Sequence, residues 1–318
     1  MLEYFPPHVG GVETLFQCLT ESLVAAGWDV TVLTLRVSNS AASEVRNGVR
    51  IERIRAPRMG ERYLFSLLAL PLAIKHASQC DIVHTTTYSA ALPAWIVSRF
   101  RKKPVVLTVH EVLGRQWLGL TDLPAVSRYV FHWLEKCLLS LPFDHFLSDS
   151  HFTNDRLKSV MGISGERASV AYPIVDYEFW NGAIHRGRDL RVELGLPADT
   201  RLYLYFGRPG VTKGLRYLLE AVPLIRDRVP NSRLVLLLAK EPQDQYQKAL
   251  RRIHELGIES DVCLLPSVKR AELPSYLMAA DCVVVPSLSE GFGYAAMEAA
   301  LLGQTVVTTS GHSVEEIL

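Results

Sequence analysis

Two glutamates near the end of the chain, Glu290 and Glu298, are the first and last residues of the glycine-containing segment EGFGYAAME. This segment follows the apolar run VVVPS. The pattern predicts a strand, a loop and then a helix that begins near Gly293, with Glu298 one to two turns inside it. Amide groups at such a helix start favour an anion, and a carboxylate can accept hydrogen bonds from two neighbouring ribose hydroxyls. In the alternative interpretation, Glu298 is a solvated helix residue and Glu290 only complements the helix dipole.

Two cations, Arg208 and Lys213, lie five residues apart in YFGRPGVTKGLRYLLEA, where an apolar run leads through a glycine-proline loop into a helical pattern. Ligands of parallel α/β sheets bind at the carboxyl ends of the strands. An arginine fork and a mobile lysine there suit a diphosphate. The alternative is that both cations only keep the loop soluble.

Two weaker signals lie in the first half of the chain. Gly10 and Gly11 open a helical pattern after the segment FPPHV, and such a helix start also favours an anion. His110 follows the predicted strand Val105–Val109, at the edge of the sheet where ligands bind. Either feature is also compatible with a purely structural role.

Several motifs that would indicate other chemistry are missing from the sequence. It contains no D-x-D for a divalent cation on a diphosphate, no P-loop and no G-x-S-x-G elbow. The segment GFGYAA matches a dinucleotide fingerprint, but four residues separate it from its strand and it stands late in its domain. These observations disfavour kinases, serine hydrolases and dinucleotide oxidoreductases.

The elements that position these residues alternate between short apolar runs and longer helical patterns, which predicts α/β layers with doubly wound parallel sheets. The predicted strands are Val30–Leu35, Val49–Ile54, Asp81–Thr85, Val105–Val109, His145–Ser148, Ser169–Tyr172, Leu202–Phe206, Leu234–Ala239, Val262–Leu265, Cys282–Pro286 and Thr305–Thr308. The predicted helices are Val12–Ala26, Ala90–Phe100 and Val126–Leu139, with others near 214–228, 243–256, 270–280 and 293–302. A polar stretch, Pro173–Thr200, divides the chain into domains 1–173 and 174–318.

Composition narrows the class of protein further. The net charge of +1 gives no indication of a nucleic-acid partner. The five cysteines form no C-x-x-C pair, which predicts buried free thiols in a reducing cytosol and no zinc site. No secretory leader is recognisable, and the most apolar stretch, Tyr63–Ile74, is shorter than the roughly 20 residues of a membrane span. We therefore expect a cytoplasmic protein.

Taken together, seven segments resemble the retaining GT-B glycosyltransferases of family 4. They are FPPHVGGVE, DIVHTTT, LTVHE, SDSHFTNDRL, FGRPGVTKGL, SEGFGYAAMEA and GQTVVTT, and they cover nearly the whole chain. The resemblance implies two Rossmann-like domains that face an interdomain cleft. Residues 1–173 would form the acceptor-side domain, and residues 174–318 would form the domain that binds the nucleotide sugar.

The resemblance also implies roles for the residues of the second domain. Arg208 and Lys213 would hold the donor diphosphate, and Glu298 would bind the ribose. Glu290 would contact the donor sugar.

Backbone amides would assist these side chains, and the first domain would contribute as well. The amides are those of Phe292, Gly293 and Tyr294. Gly10 or Gly11 would approach the phosphates or the acceptor, and His110 would touch the sugar. Such enzymes need no metal ion or cofactor beyond the nucleotide sugar, in agreement with the missing D-x-D.

The sequence departs from the family pattern at three places. Pro173 and Ile174 replace the usual Asn-Gly, Gly303-Gln304-Thr305 replaces the usual Gly-x-Pro, and the late glycine pair is Gly311-His312. These departures leave the identity of the donor open. Both ends of the chain look truncated, because a first strand and a C-terminal portion of the family fold are expected and not found.

The expected activity is the transfer of a hexose from a UDP- or GDP-linked donor to a hydroxyl acceptor with retention, in the synthesis of a glycan, glycolipid or polysaccharide. Two alternatives stay open: a nucleotide-sugar epimerase on the same scaffold, and a non-catalytic subunit that only binds the nucleotide sugar.

A basic cluster precedes the apolar segment YLFSLLALPLAI. Its members are Arg50, Arg53, Arg55, Arg58 and Arg62. This arrangement is compatible with a peripheral contact to the cytoplasmic membrane face, which would serve a lipid-linked acceptor. A solvated face followed by a core helix is the interpretation that we favour.

Overall fold

The structure, a computed structural model, describes residues 1–8, 10–38, 40–57, 60–120 and 123–318. Packing divides the chain into two units. Unit 1 comprises Met1–Gly119 and Ala125–Ile174, and unit 2 comprises Leu120–Pro124 and Val175–Leu318. Each unit carries parallel strands covered by helices, which confirms the predicted α/β fold.

Unit 1 contains seven strands and six helices within its described residues. The strands are β1 (Thr31–Leu35), β2 (Ser43–Arg46), β3 (Val49–Ile54), β4 (Val83–Thr86), β5 (Val105–Val109), β6 (His145–Ser148) and β7 (Ala168–Val170). The helices are α1 (Gly11–Ala25), α2 (Glu61–Leu68), α3 (Leu70–Ala77), α4 (Ala91–Arg101), α5 (Ala125–Leu139) and α6 (His151–Met161). The bounds predicted for β3, β5 and β6 are the observed ones.

The strands of unit 1 form two sheets, in the orders β1-β3-β2 and β4-β5-β6-β7, and the second sheet is entirely parallel. The first residues of the chain lie between the two sheets. On one side, Leu2 N donates to Leu33 O at 2.9 Å, and on the other the Met1 amino group donates to His84 O at 2.6 Å. Residues 1–3 thereby connect β1 with β4.

The antiparallel strand β2 was not predicted from the sequence. It pairs with β3 through a tight turn in which Asn47 and Gly48 both have positive φ, of 49° and 81°. Asn-Gly is a strong signal for a two-residue hairpin turn, but the strand before it, Ser43–Arg46, is mostly polar and carries no apolar pattern. Helix α6 was overlooked as well.

The basic cluster around β3 is not one continuous surface. Arg50 and Arg55 are exposed, but Arg53 is buried and donates to Glu44 Oε1 at 2.6 Å and to Pro6 O at 2.8 Å. Its assignment to a surface patch is therefore wrong, because its position on β3 turns it inward. Arg58 and the side chain of Arg62 lie outside the described residues.

The apolar segment after this cluster forms α2 and α3. Phe65, Ala69 and Ala73 are buried in the core beside β1 and α4, whereas Leu67 is exposed. None of the helices in the described part of the chain combines the length and the apolar character that crossing a bilayer requires.

Unit 2 contains one five-stranded sheet, all parallel, in the order β10-β9-β8-β11-β12. The strands are β8 (Arg201–Gly207), β9 (Ser232–Leu238), β10 (Val262–Pro266), β11 (Cys282–Val285) and β12 (Val306–Thr308). The helices are α7 (Leu190–Glu193), α8 (Leu215–Arg228), α9 (Gln243–Leu256), α10 (Leu273–Ala279) and α11 (Tyr294–Leu301). Strand order reverses between β8 and β11, which makes this the topological switch point of the sheet.

The sheet of unit 2 is buried on both faces. On β8, Leu202 and Leu204 pack into one core cluster, and Tyr203 and Tyr205 pack into another on the opposite face. Alternating side chains of a strand point to opposite faces, so a strand covered twice has to be continuously apolar. This explains why the strand prediction was accurate here.

The five cysteines are free thiols, as predicted. Their predicted burial is wrong, because Cys137 is exposed on α5 and the other four are half-buried.

Candidate functional site

Two loops of unit 2 meet at the switch point. One follows β8 and reaches Gly214, and the other follows β11 and reaches Gly293. Leu288 N in the second loop donates to Thr212 O in the first at 2.7 Å. The crevice outside such a reversal of strand order is where open α/β sheets bind ligands.

Gly214 allows the two loops to touch. It has a left-handed conformation with φ of +64°, and a Cβ built there would lie 1.7 Å from Pro286 O. A side chain would therefore be both strained and in collision with backbone. The glycine is required by the approach of the loops.

Lys213 and Glu290 form an ion pair across the loops. Lys213 Nζ donates to Glu290 Oε1 at 2.8 Å, and Ser287 Oγ donates to the same oxygen at 2.7 Å. Ser313 Oγ donates to the backbone oxygen of Glu290 at 2.7 Å. The Lys213 side chain is 40% exposed, so its ammonium group has donors left for an anionic ligand.

Glu298 lies on α11, behind a second constrained glycine. Gly293 precedes the helix with φ of +96°, and a Cβ there would lie 2.5 Å from Val314 Cγ2. Burial raises the pKa of Glu298 to about 7, and the charge of Arg270 acts in the opposite direction. A half-buried carboxylate that is poorly solvated gains from hydrogen-bond donors on a ligand.

The other predicted residues of unit 2 belong to the same two loops or to the start of α11. The Arg208 side chain is exposed and forms no ion pair within the part of the chain that the structure describes. Phe292 is buried, and its ring centroid lies 5.3 Å from that of Tyr294. Among the described residues, no group of three or more His, Cys, Asp or Glu side chains is arranged as a metal site.

In unit 1, His110 and Asp149 meet at the ends of β5 and β6. The strand register pairs Val109 with Ser148, so the next residues lie side by side. His110 Nδ1 lies 3.0 Å from Asp149 Oδ2, to which it donates as the carboxylate accepts. His110 Nε2 is buried and has no hydrogen-bond partner among the described residues.

Burial raises the pKa of Asp149, and its hydrogen bond with His110 acts in the opposite direction. A second histidine, His84, lies nearby, and Phe16 contacts both rings edge-on at centroid distances of 5.3 Å and 6.2 Å. Burial lowers the pKa of His84 to about 4, so it is neutral at pH 7. Its Nε2 lies 2.7 Å from Thr108 Oγ1.

The start of α1 carries the remaining predicted residues. Gly10 is the N-cap in an extended conformation, and Gly11 is the first helical residue. Glu13 in the first turn is buried, and its Oε1 lies 2.9 Å from His8 Nδ1. A carboxylate therefore already complements this helix start, which the sequence analysis had not considered.

Comparison with known proteins decides the family. Residues 9–179 match the family model described as Glycosyltransferase Family 4, and residues 188–318 match the model described as Glycosyl transferases group 1. The chain belongs to the glycosyltransferase family that these two models describe. It is therefore a transferase that acts on sugars.

Individual glycosyltransferases resemble it over most of its length. It is 29% identical to glycogen synthase of Mycobacterium tuberculosis over 97% of this chain and 76% of that protein. Sucrose-phosphate synthase of Thermosynechococcus elongatus has a TM-score of 0.78 at 22% identity, covering 97% of this chain and 78% of that one. Anabaena HepE in complex with UDP-glucose has a TM-score of 0.76 at 20% identity, covering 100% and 82%. These structures confirm that the fold is GT-B.

Two buried carboxylates of the glycosyltransferase, Glu135 and Asp149, were not found from its sequence. Glu135 is buried on α5, and its carboxylate accepts from Leu113 N at 3.0 Å, Gly114 N at 2.6 Å and Tyr88 Oη at 2.9 Å. It thereby fixes the loop that follows His110. Asp149 was missed too, although its place directly after a strand next to β5 was a usable signal.

Proposed function

We propose that the protein transfers a hexose from a UDP- or GDP-linked donor to a hydroxyl acceptor with retention of the anomeric configuration, in the synthesis of a glycan, glycolipid or polysaccharide. The observation that carries the proposal is the Lys213–Glu290 pair at the switch point of unit 2, in which the Lys213 side chain is 40% exposed. The solved complex of Anabaena HepE with UDP-glucose supports a nucleotide-sugar donor.

In this proposal the donor binds along the two loops of unit 2. Lys213 and Arg208 bind the diphosphate, and Glu298 accepts hydrogen bonds from the ribose hydroxyls. Lys213 then shares its donors between the diphosphate and Glu290. Glu290 contacts the hexose, together with the amides of Phe292, Gly293 and Tyr294.

Transfer requires that the bond between the anomeric carbon and the diphosphate breaks as the acceptor oxygen attacks. Arg208 and Lys213 stabilise the negative charge that develops on the leaving diphosphate. The acceptor attacks from the side on which the diphosphate leaves, and a donor phosphate oxygen takes the acceptor proton. We propose that these two cations carry the charge of the diphosphate without a metal ion.

For unit 1 we propose that His110 contacts a hydroxyl of the sugar through Nε2, while Asp149 fixes the ring. Gly10 or Gly11 approaches a phosphate or the acceptor. The acceptor is a hydroxyl compound, and a lipid-linked one would be reached through a peripheral membrane contact. We also propose a cytoplasmic location, which the free thiols of the five cysteines support.

A binding and turnover experiment tests the proposal. Thermal unfolding is measured with UDP-, GDP- and ADP-glucose, because a ligand that binds the folded state raises its stability by mass action. Release of nucleoside diphosphate is then followed for wild type, Arg208→Ala and the exposed control Arg251→Ala. We expect a shift with one donor, turnover that depends on acceptor, and a loss in Arg208→Ala only.

Other outcomes contradict the proposal. Conversion of the donor sugar without acceptor would indicate an epimerase, and binding without turnover would indicate a non-catalytic subunit. A product of inverted anomeric configuration, determined by NMR, would rule out retention.

A further inference from the structure

A third loop of unit 2 contacts Glu290, and it contains the departure from the family pattern at Gly311-His312. We call it the β12 loop, residues 309–313, because it follows β12. His312 is only 2% exposed, so its imidazole lies inside unit 2. A buried polar ring requires hydrogen-bond partners for its nitrogens. The partners of this ring connect it to Glu290 along two routes.

The first route leads from His312 to the carboxylate of Glu290. His312 Nε2 lies 2.9 Å from Thr309 Oγ1, and Thr309 Oγ1 donates to Ser287 O. The Thr309 hydroxyl has a single proton, and a carbonyl oxygen can only accept, so the imidazole has to donate from Nε2. Ser287 Oγ in turn donates to Glu290 Oε1 at 2.7 Å. The ring thereby fixes the residue that orients the carboxylate.

The second route leads from His312 to the backbone of Glu290. Val314 N donates to His312 Nδ1 at 3.4 Å, so the imidazole caps the 3₁₀ turn Ser313–Glu316. The first residue of this turn donates through its Oγ to Glu290 O at 2.7 Å. The turn also lies against the start of α11, because a Cβ on Gly293 would be 2.5 Å from Val314 Cγ2.

Only the neutral form of the imidazole fits both contacts. Nε2 is the donor and Nδ1 is the acceptor, so a proton on Nδ1 would face the N–H of Val314. Burial lowers the pKa of His312, and the charges of Glu290 and Glu315 act in the opposite direction. The charge of Lys213 acts in the same direction as burial. The pKa stays below its usual value of 6.5, so the ring is mostly neutral at pH 7.

The β12 loop tolerates a side chain at His312 without strain. His312 has φ of −151°, which is extended backbone, whereas Gly311 has a left-handed φ of +84°. Gly311 N also donates to Glu315 Oε1 at 2.8 Å. The loop therefore keeps a glycine where the backbone requires one. At the next position, the usual second glycine of the family could form neither contact of the imidazole.

We propose that His312 is a positioning residue that holds Glu290 in place for the hexose of the donor. The inference rests on the proposed function, in which Glu290 contacts the hexose. In that function Arg208 and Lys213 bind the diphosphate, and Glu298 binds the ribose. Loss of the imidazole should therefore weaken recognition of the sugar more than recognition of the nucleoside diphosphate.

Binding and kinetic measurements on variants of the full chain test this inference. Isothermal titration calorimetry gives the Kd values of UDP-glucose and UDP, and of GDP-glucose and GDP, and steady-state kinetics give kcat. The test variant is His312→Ala. The matched control is His254→Ala, because His254 is an exposed histidine on α9 whose Nδ1 pairs with Glu259. A second test variant, Thr309→Val, removes the hydroxyl between His312 and Ser287 at an exposed position.

We expect His312→Ala to raise the Kd of the nucleotide sugar roughly two- to twelvefold, the loss that corresponds to one neutral hydrogen bond. The Kd of the matching nucleoside diphosphate should change less, and kcat should fall by a factor similar to that for the sugar. Thr309→Val should show the same preference in its losses, and it should add little to His312→Ala if both act along one route. His254→Ala should behave like wild type.

Three results would overturn the inference. Equal losses for the nucleotide sugar and the nucleoside diphosphate in His312→Ala would show that the ring only stabilises the fold. Wild-type values in both test variants would contradict the positioning role alone, because the wild type would still bind and transfer the sugar. Absence of nucleotide-sugar binding by the wild type would contradict the proposed function together with this inference. If His312→Ala does not fold, Thr309→Val decides by the same comparison.

Discussion

The two units place an acid and a basic group at equivalent positions but bring the pairs together differently. In unit 1, His110 and Asp149 follow adjacent strands β5 and β6, and strand register alone brings them to 3.0 Å. In unit 2, Lys213 and Glu290 lie in loops beyond adjacent strands β8 and β11, and their 2.8 Å contact depends on how these loops pack. The first pair is largely buried and fixed by the sheet, and the second keeps an exposed cation for a charged ligand.

The largest effect should come from Gly214, on which the loop packing of unit 2 depends. Gly214→Ala would place Cβ 1.7 Å from Pro286 O, and we expect the free energy of unfolding to fall by roughly 3 kcal/mol. Urea denaturation measures this loss. Gly195→Ala is the matched control, because Gly195 has φ of +65° but nothing within 4 Å of a Cβ. Its loss should be about 1 kcal/mol, and equal losses would show that the loop contact is unimportant.

The second prediction concerns the cation of unit 2. Lys213→Ala should lower kcat/KM for the donor roughly 10- to 150-fold, since a charge-assisted contact contributes about 1.5–3 kcal/mol. Steady-state kinetics with the donor identified by thermal shift provide the measurement. Lys158→Ala, at an exposed position on α6, serves as the control. A wild-type kcat/KM in Lys213→Ala would contradict the assignment of Lys213 to the diphosphate.

The third prediction concerns the pair of unit 1. Asp149→Asn should lower kcat roughly tenfold with little change in the donor KM, because an amide holds an imidazole less strongly than a carboxylate does. The double variant with His110→Ala should be no slower than His110→Ala alone if Asp149 acts through the ring. Additive losses, or an unchanged pH profile of kcat, would contradict this role.

The last prediction concerns the pH dependence of stability that Glu298 imposes. Its pKa is raised by burial from 4.5 to about 7, so between these values the folded state keeps a proton that the unfolded state has lost. The contribution of Glu298 to the free energy of unfolding therefore falls as the pH rises from about 4.5 to about 7, and it is constant at higher pH. Glu298→Gln should remove the decline.

Glu220→Gln is the control for this prediction, because hydrogen bonds from Arg216 and Arg252 lower the pKa of Glu220 instead. Glu220→Gln should therefore still show the fall in the free energy of unfolding between about pH 4.5 and 7. Urea denaturation across this pH range would contradict the assignment if Glu298→Gln kept the slope of wild type.

The residues of unit 2 could be predicted because their signals are local. Apolar strands, glycines and charges follow one another along the chain, so Lys213 and Glu290 were both found from their loops. Asp149 was missed although its position directly after a predicted strand was a usable signal. Glu135 was missed because the amides that it binds are 21 and 22 residues away, and only tertiary packing selects them. Helix α5 was predicted from its periodicity, but the burial of Glu135 on it depends on the loop that this carboxylate binds.

The contact between Gly214 and Pro286 has a consequence for attempts to change donor preference. The loops after β8 and β11 touch through backbone and share the hydrogen bond from Leu288 N to Thr212 O. A displacement of one loop therefore also displaces the other. Substitutions chosen to accept a different sugar beside Glu290 will also shift the ammonium group of Lys213, so the two loops have to be redesigned together.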